Sequence, residues 1–466
     1  MTTTPHELVA ELDADQRKAV LDPAEQLLIV AGAGSGKTRA FVHRIARMVA
    51  DGAEPESILA LSYTNAAANE VTKRLALMGI EGVQAMTLHA WCHRQPMRLF
   101  SAVIGKTGYR ILDGDGSDEV LRYDMRLGEY GAQAARTELT EAKNMLSDLY
   151  DENKVEAYNQ ILASRGQLDF DDLQVGALRI LQESPEALVH YRNTLRHVLI
   201  DEYQDVNPVQ HEILRLLCLP DEKMATPSLT VVGDPDQAIY GFRGADDTFI
   251  KEFTSEFRDS SEVRLLRNYR STAEILQAAD DIVGDNPERL VKRMESVQGP
   301  GLPIEVCDAP TDVEEADLAL SRVSDWLEDG VEPQEIAVLY RYHNQLDRVF
   351  DLFREHGVPT WAPYIDDGEQ GKRVAVRSVH SAKGLEYDRV ILIGWNDGSM
   401  PTWRVNKTPQ LIEEERRIAY VAITRAREQV LITYPQAREL RSGSWVSQNP
   451  SRFLSRVSAA AITGIS

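Results

Sequence analysis

Residues Ala31 to Thr38 read AGAGSGKT, and this segment restricts most tightly what the chain can fold into. A glycine-rich loop of that spacing works when a strand ends before it and a helix begins inside it. Consecutive backbone N–H groups and the helix N-terminus then converge on phosphate oxygens. The flanks meet the requirement: Leu27-Leu28-Ile29-Val30 reads as a strand, and Arg39 to Ile45 as the start of a helix. In that setting Ala31, Gly32, Ala33, Gly34, Ser35 and Gly36 form the phosphate cradle. Lys37 reaches the β/γ-phosphates, and the Thr38 hydroxyl ligates Mg²⁺. A chance match to the bare pattern in a chain this long has odds of roughly a few per cent, and the flanking strand and helix argue against it.

A carboxylate pair adds to the signal. Val198-Leu199-Ile200 is a short apolar strand that ends in Asp201-Glu202-Tyr203-Gln204-Asp205. Asp201 is placed to hold the metal and Glu202 to polarise an attacking water. An isolated pair of this kind is usually a solvated surface turn. Behind a buried-type strand, and in a chain with a phosphate loop, it points to ATP or GTP hydrolysis.

At 466 residues the chain has room for two or more domains. Its net charge of −22 argues against coating nucleic acid by global attraction, but leaves room for a local basic groove. No apolar stretch approaches the ~20 residues that span a bilayer, and MTTTPHELVAELD is not a signal peptide. A cytoplasmic protein with no membrane partner is expected. Cys92, Cys218 and Cys307 lie far apart, which suggests neither disulfides nor a metal cluster.

Strand-like runs alternate with helical patterns twice over, which implies an α/β fold of parallel sheets with helices on both faces. The first set is Leu27–Val30, Ile58–Leu61, Val198–Ile200 and Leu229–Val232. The second is Ile336–Leu339, Val374–Val379, Val390–Ile393 and Val430–Thr433. Between Arg94 and Arg165 no strand is expected, and Glu119–Glu129 and Ala132–Asn153 read as helices of an insertion. The second half has no phosphate loop of its own. It does carry Asn268-Tyr269-Arg270-Ser271 and Tyr420 to Ala426, whose arginines, brought to a γ-phosphate, would stabilise transition-state charge.

These residues resemble superfamily 1 DNA helicases of the UvrD/Rep/PcrA type over most of the chain. Besides AGAGSGKT and DEYQDVNPVQ, the matching motifs in the first half are LDADQRKAV around Gln16, SYTNAAANEV at 62–71, TLHAWCHR at 87–94, FDDL at 170–173 and VGDPDQAIYGFRGA at 232–245. LRNYRS at 266–271, VHSAKGLEYDRV at 379–390, EEERRIAYVAITRAR at 413–427 and NPSRFL at 449–454 follow. The resemblance implies two RecA-like domains: residues 1–93 with 166–255, and residues 256–466, with the helical insertion at 94–165. It implies ATP and Mg²⁺ as cofactors, with Gln16 reading adenine and Arg39 and Tyr269 sandwiching the base. Glu386 would hold the ribose, Gln237 would sense the γ-phosphate, and Arg270 and Arg425 would be arginine fingers. Tyr63 and Phe242 correspond to stacking platforms for single-stranded bases. Thr64, Asn65, His89, Arg243 and His380 are candidate backbone or coupling contacts.

The chain departs from the family pattern twice. Ala66 stands where the family usually has a lysine, and residues 342–373 replace a large helical domain. The expected activity is an ATP-driven motor on single-stranded DNA and its junctions with duplex, moving 3′ to 5′ and unwinding. The short connection leaves translocation better supported than strand separation. One alternative is a DNA-stimulated ATPase serving a nuclease or repair partner. A small-molecule kinase is another, but it leaves VHSAKGLE and NYRS unexplained. No appended nuclease is expected.

Overall fold

A computed structural model describes residues 9–145, 152–221, 224–287, 289–290, 292–361, 372–406, 408–439 and 444–464. The chain divides into two compact units. The first contains residues 1–31 and 36–265, the second 32–35 and 266–466.

In the first unit, strands β1 Gln26–Ala31, β2 Ile58–Ser62, β3 Gln84–Thr87, β6 His197–Ile200, β7 Ser228–Gly233 and β8 Ser261–Leu265 form a six-stranded sheet. Its order is β3-β2-β6-β7-β1-β8, with every pairing parallel. β1 and β2 are buried along their whole length, as apolar strands covered on both faces should be. Helix Lys37–Ala50 buries Ala40, Phe41 and Ile45 in a core shared with Leu27, Ile29, Ile58, Ala60 and Leu199. The four strands expected here are all present and form the middle of the sheet. The outer strands β3 and β8 are additions to that expectation. Because β8 pairs with β1, this unit runs to Leu265 rather than to 255.

The described residues of 94–165 are mainly helical, but the helices differ from those expected. Helix Gly114–Glu119 starts on the Asp113 side chain, which accepts from Gly116 N, and continues as a π-turn to Asp124. The helix expected over Glu119–Glu129 therefore starts earlier and ends sooner, because two glycines in its first turn disguise its start. Helix Glu129–Asn144 follows from Gly128, and Glu152–Ser164 comes next; residues 146–151 of the expected helix lie outside the described residues. A two-residue strand, β4 Arg110–Ile111, pairs in parallel with β5 Gln167–Leu168, which corrects the expectation of no strand in this stretch.

In the second unit, β9 Arg267–Asn268 pairs with β10 Glu295–Ser296. A larger sheet has the order β13-β14-β12-β15-β16-β11-β18, with β17 antiparallel on β16. The ranges are β11 Ile304–Thr311, β12 Ile336–Tyr340, β13 Thr360–Trp361, β14 Val374–Ser378, β15 Tyr387–Leu392, β16 Ala426–Glu439, β17 Trp445–Ser447 and β18 Ile462–Thr463. The four expected strands again hold the centre. Helix Asp312–Glu328 covers the sheet through Ala319, Val323 and Trp326. Of the short connection 342–373, residues 362–371 lie outside the described residues.

Candidate functional site

The end of the phosphate loop is shaped by one glycine. Gly36 has φ +79° and caps helix Lys37–Ala50. A Cβ there would come 2.5 Å from Gln16 Nε2. Both the left-handed backbone and the amide pressed against it require glycine. Gln16 itself is buried in helix Ala14–Leu21, whose first turn is capped by Asp13 accepting from Gln16 N at 2.8 Å. Within Gly32–Ser35, which group with the second unit, Ser35 Oγ donates to Gly32 O at 2.8 Å and Asn268 Nδ2 to Ala33 O at 2.6 Å. Gly34, at φ +65°, supplies the other left-handed turn.

Lys37 and Thr38 open the helix after this loop, and Lys37 Nζ lies 3.5 Å from Glu202 Oε2. Glu202 has φ +57°, a conformation rare for residues other than glycine. That turn aims its carboxylate back at the lysine. Gln204 Nε2 donates to the same Oε2 at 2.5 Å, and Gln204 Oε1 accepts from Asp234 N at 2.9 Å. Gln237 Nε2 donates to Asp234 Oδ2 at 2.5 Å. A single polar chain thus joins the lysine, the carboxylate turn and the segment after β7. Gly233 makes the packing possible, since a Cβ there would sit 2.6 Å from Gln204 Oε1. Burial, with the Glu202 charge beside it, pushes the Asp201 carboxyl up to about 7, and Lys37 offsets part of the rise. A cation would relieve this repulsion, so the Thr38 hydroxyl and the Asp201 carboxylate are donors of the kind that suit a divalent ion.

Arg39 is not in this chain of contacts. It pairs with Glu11 at 3.2 Å on the surface.

A groove of about 790 Å³ adjoins the carboxylates and is lined by Tyr63, Thr64, His89, Asp201, Glu202, Phe242 and Arg243 among others. The aromatics form a cluster rather than a core. Tyr63 stacks on Tyr240 at 5.1 Å, Tyr240 lies 6.1 Å from Phe242, and the Arg243 guanidinium sits 5.6 Å from both the Tyr240 and Phe242 rings. Phe242 is 48 % exposed. Burial lowers the pKa of His89, favouring neutral imidazole. Thr64 spends its hydroxyl capping helix Asn65–Leu77, accepting from Ala67 N at 3.1 Å, and Asn65 is exposed in its first turn. Two further aromatics join the site without a sequence expectation behind them. Tyr240 is one, and Phe170, half-exposed at the start of helix Phe170–Glu183, is the other and lines the same groove. A phenylalanine set between two aspartates at a helix start, Asp169 and Asp171, was the available signal.

In the second unit, Arg270 Nε donates to Glu386 Oε2 at 2.6 Å and Nη1 to Thr424 O at 3.1 Å. Arg427 holds the other oxygen, Oε1, at 2.9 Å, and bridges to Glu335 and Asp388 at 2.6 and 2.9 Å. Burial raises the Glu386 carboxyl, but the two guanidiniums outweigh it and hold it below the usual carboxylate range. Arg425 is buried, donating to the carbonyls of Val421 and Leu385 at 2.9 and 3.0 Å. Tyr269 is 40 % exposed, and His380 opens a 3₁₀ turn after β14.

Residues 12–258 match the model of the UvrD/REP helicase N-terminal domain, and residues 263–363 and 364–437 that of the UvrD-like helicase C-terminal domain. The chain belongs to the UvrD/REP helicase family. ATP-dependent DNA helicase UvrD2 of Mycobacterium tuberculosis is 27 % identical over 98 % of this chain and 83 % of its own length. DNA helicase II of Haemophilus influenzae is 24 % identical over 97 % and 87 %, and UvrD1 of Mycobacterium leprae 35 % over 77 % and 50 %. The match to the family's C-terminal domain is in two pieces that meet at 363/364, inside the short connection noted above. No helix among the described residues is long and apolar enough to cross a membrane.

Proposed function

We propose that this UvrD/REP family member is an ATP-hydrolysing motor that moves along single-stranded DNA, 3′ to 5′ as the family resemblance implies, and opens duplex at a junction. The observation that carries the reading is the polar chain from Lys37 through Glu202 and Gln204 to Asp234 and Gln237, beside a groove that holds a cluster of part-exposed aromatics.

Gln16, packed against Gly36, reads the adenine edge, and the loop amides with Lys37 hold the phosphates. Thr38 and Asp201 are the residues that would hold Mg²⁺, which supplies charge neutralisation on the β/γ-oxygens. Glu202 accepts the proton of the attacking water, and Gln237 orients that water from the far end of the chain. Arg270 and Arg425 are the second unit's candidates for transition-state charge. Tyr63, Phe170, Tyr240 and Phe242 offer π-faces to bases without reading sequence, and Arg243 offers a phosphate contact. Residues 94–165 form the helical insertion, and the two-piece C-terminal match supports a compact motor.

ATP turnover measured with 3′-tailed, 5′-tailed and blunt duplexes, alongside strand displacement, tests this. DNA-dependent turnover with unwinding of the 3′-tailed substrate is expected, and Lys37→Ala should abolish both. Turnover indifferent to DNA would sink the motor reading. Turnover without displacement would leave a translocase.

A further inference from the structure

A line of buried amide side chains runs from the DNA groove to the turn that carries Asp201 and Glu202, and neither the chemistry nor the grip described above uses it. It begins at Asn144, the last residue of helix Glu129–Asn144. Gly244, two residues after Phe242 and at φ +82°, packs so closely that a Cβ there would lie 3.3 Å from Asn144 Cβ. Asn144 Nδ2 donates to Asp171 Oδ1 at 3.1 Å, and its Oδ1 accepts from Gln174 Nε2. Gln174 Oε1 then accepts from Gln210 Nε2 at 3.0 Å. Gln210 and Asn207 close a reciprocal cap at the start of helix Pro208–Cys218, with Gln210 N donating to Asn207 Oδ1 at 2.9 Å. Asn207 lies five residues after Glu202 in DEYQDVN. Its neighbour Val206 accepts at its carbonyl from Asp246 N at 3.1 Å, and Asp205 N donates to Glu202 O at 2.9 Å.

The relay has little slack. Gln174 is 0 % and Asn144 3 % exposed. Lys143, next to Asn144, is clamped by Asp169 at 2.7 Å and Asp172 at 2.8 Å, so the end of the insertion helix cannot drift from helix Phe170–Glu183. A buried amide that loses its partner leaves an unsatisfied group in a dry place, so a shift at one end is opposed or passed on.

We infer that Gln174 is a positioning residue that couples occupancy of the groove to the hydrolytic turn, through Asn144 on one side and Gln210–Asn207 on the other. A base or phosphate pressing on the Phe242–Gly244 loop bears on Asn144. Gln174 passes that constraint to the cap that begins just past the carboxylates. The inference rests on the reading that the groove takes single-stranded DNA.

The test compares ATP turnover of wild type and Gln174→Leu with and without saturating oligo(dT), together with anisotropy for DNA affinity and a thermal melt. Wild type should be stimulated by DNA. Gln174→Leu should keep its DNA-free turnover and its DNA affinity, but lose about two- to thirty-fold of the stimulation. A merely structural role would lower the melting temperature and leave the stimulation ratio alone, and that result overturns the inference. If Gln174→Leu does not fold, Gln210→Leu is read by its stimulation ratio in the same way, and an unchanged ratio is again fatal. Wild type that is not stimulated by DNA overturns the motor reading first, and the inference with it.

Discussion

Replacing Asp201 by asparagine should make the nucleotide-free protein more stable, and more so near pH 8 than near pH 5. The carboxyl is buried beside Glu202 and is pushed from its ordinary 3.8 to about 7. The folded-state value lies above the unfolded one, so between those two pH values the folded protein holds the extra proton. Stability therefore falls as pH rises through that window. At 1.36 kcal/mol for each unit, the ionisable side chain costs about 4 kcal/mol near pH 8 and about 2 kcal/mol near pH 5. The introduced amide would keep an acceptor for the Glu202 N–H that Asp201 Oδ1 now takes at 2.9 Å, while removing the charge. The difference between the two conditions, roughly 2 kcal/mol, corresponds to about 4–8 °C in a unit of this size. Thermal melts of both proteins without metal or nucleotide, at the two pH values, measure it. A variant that melts with wild type near pH 8, or whose advantage is equal near pH 5, would refute the burial argument.

Two other perturbations separate the remaining physical claims. Gly36→Ala and Gly52→Ala both place a Cβ at positive φ, but only at Gly36 does it strike another side chain, Gln16 Nε2 at 2.5 Å. Both should lose about 1–2 kcal/mol of stability from the backbone alone. Only Gly36→Ala should also weaken ATP binding and relax the preference for ATP over GTP, as competition binding will show. Phe170→Ala should weaken single-stranded DNA binding by about 1–3 kcal/mol at fixed salt while DNA-free ATP turnover stays unchanged. Unchanged affinity would remove Phe170 from the DNA path.

What could be read from the sequence, and what could not, follows the burial of each strand. In both sheets the four strands anticipated are the contiguous central ones: β2, β6, β7 and β1 in the first, β14, β12, β15 and β16 in the second. These are apolar runs covered on both faces. The strands without a sequence signal lie outside them. β3 (QAMT) is half-buried throughout, β8 (SEVRL) carries two charges, and β11 alternates buried with more exposed residues. Such patterns are weak at short length and resemble loops. The expected helix Glu119–Glu129 was misplaced for a different reason, because Gly114 and Gly116 fall in the first turn of the real helix, before the expected span, and hide its start.

The setting of the phosphate loop was legible because it depends on residue type at fixed spacing along one strand, one turn and one helix. AGAGSGKT, the Asp201–Glu202 pair and the family they point to needed no coordinates. Distance in the chain hides everything else. That Gln16 presses on Gly36, that Gln204 ties Glu202 to Asp234, that Phe170 faces the same groove as Phe242, and that Asn144 reaches Asn207 through Gln174 and Gln210 are products of packing. Each contact joins residues whose separation carries no periodic signal, so only the folded core could bring them together.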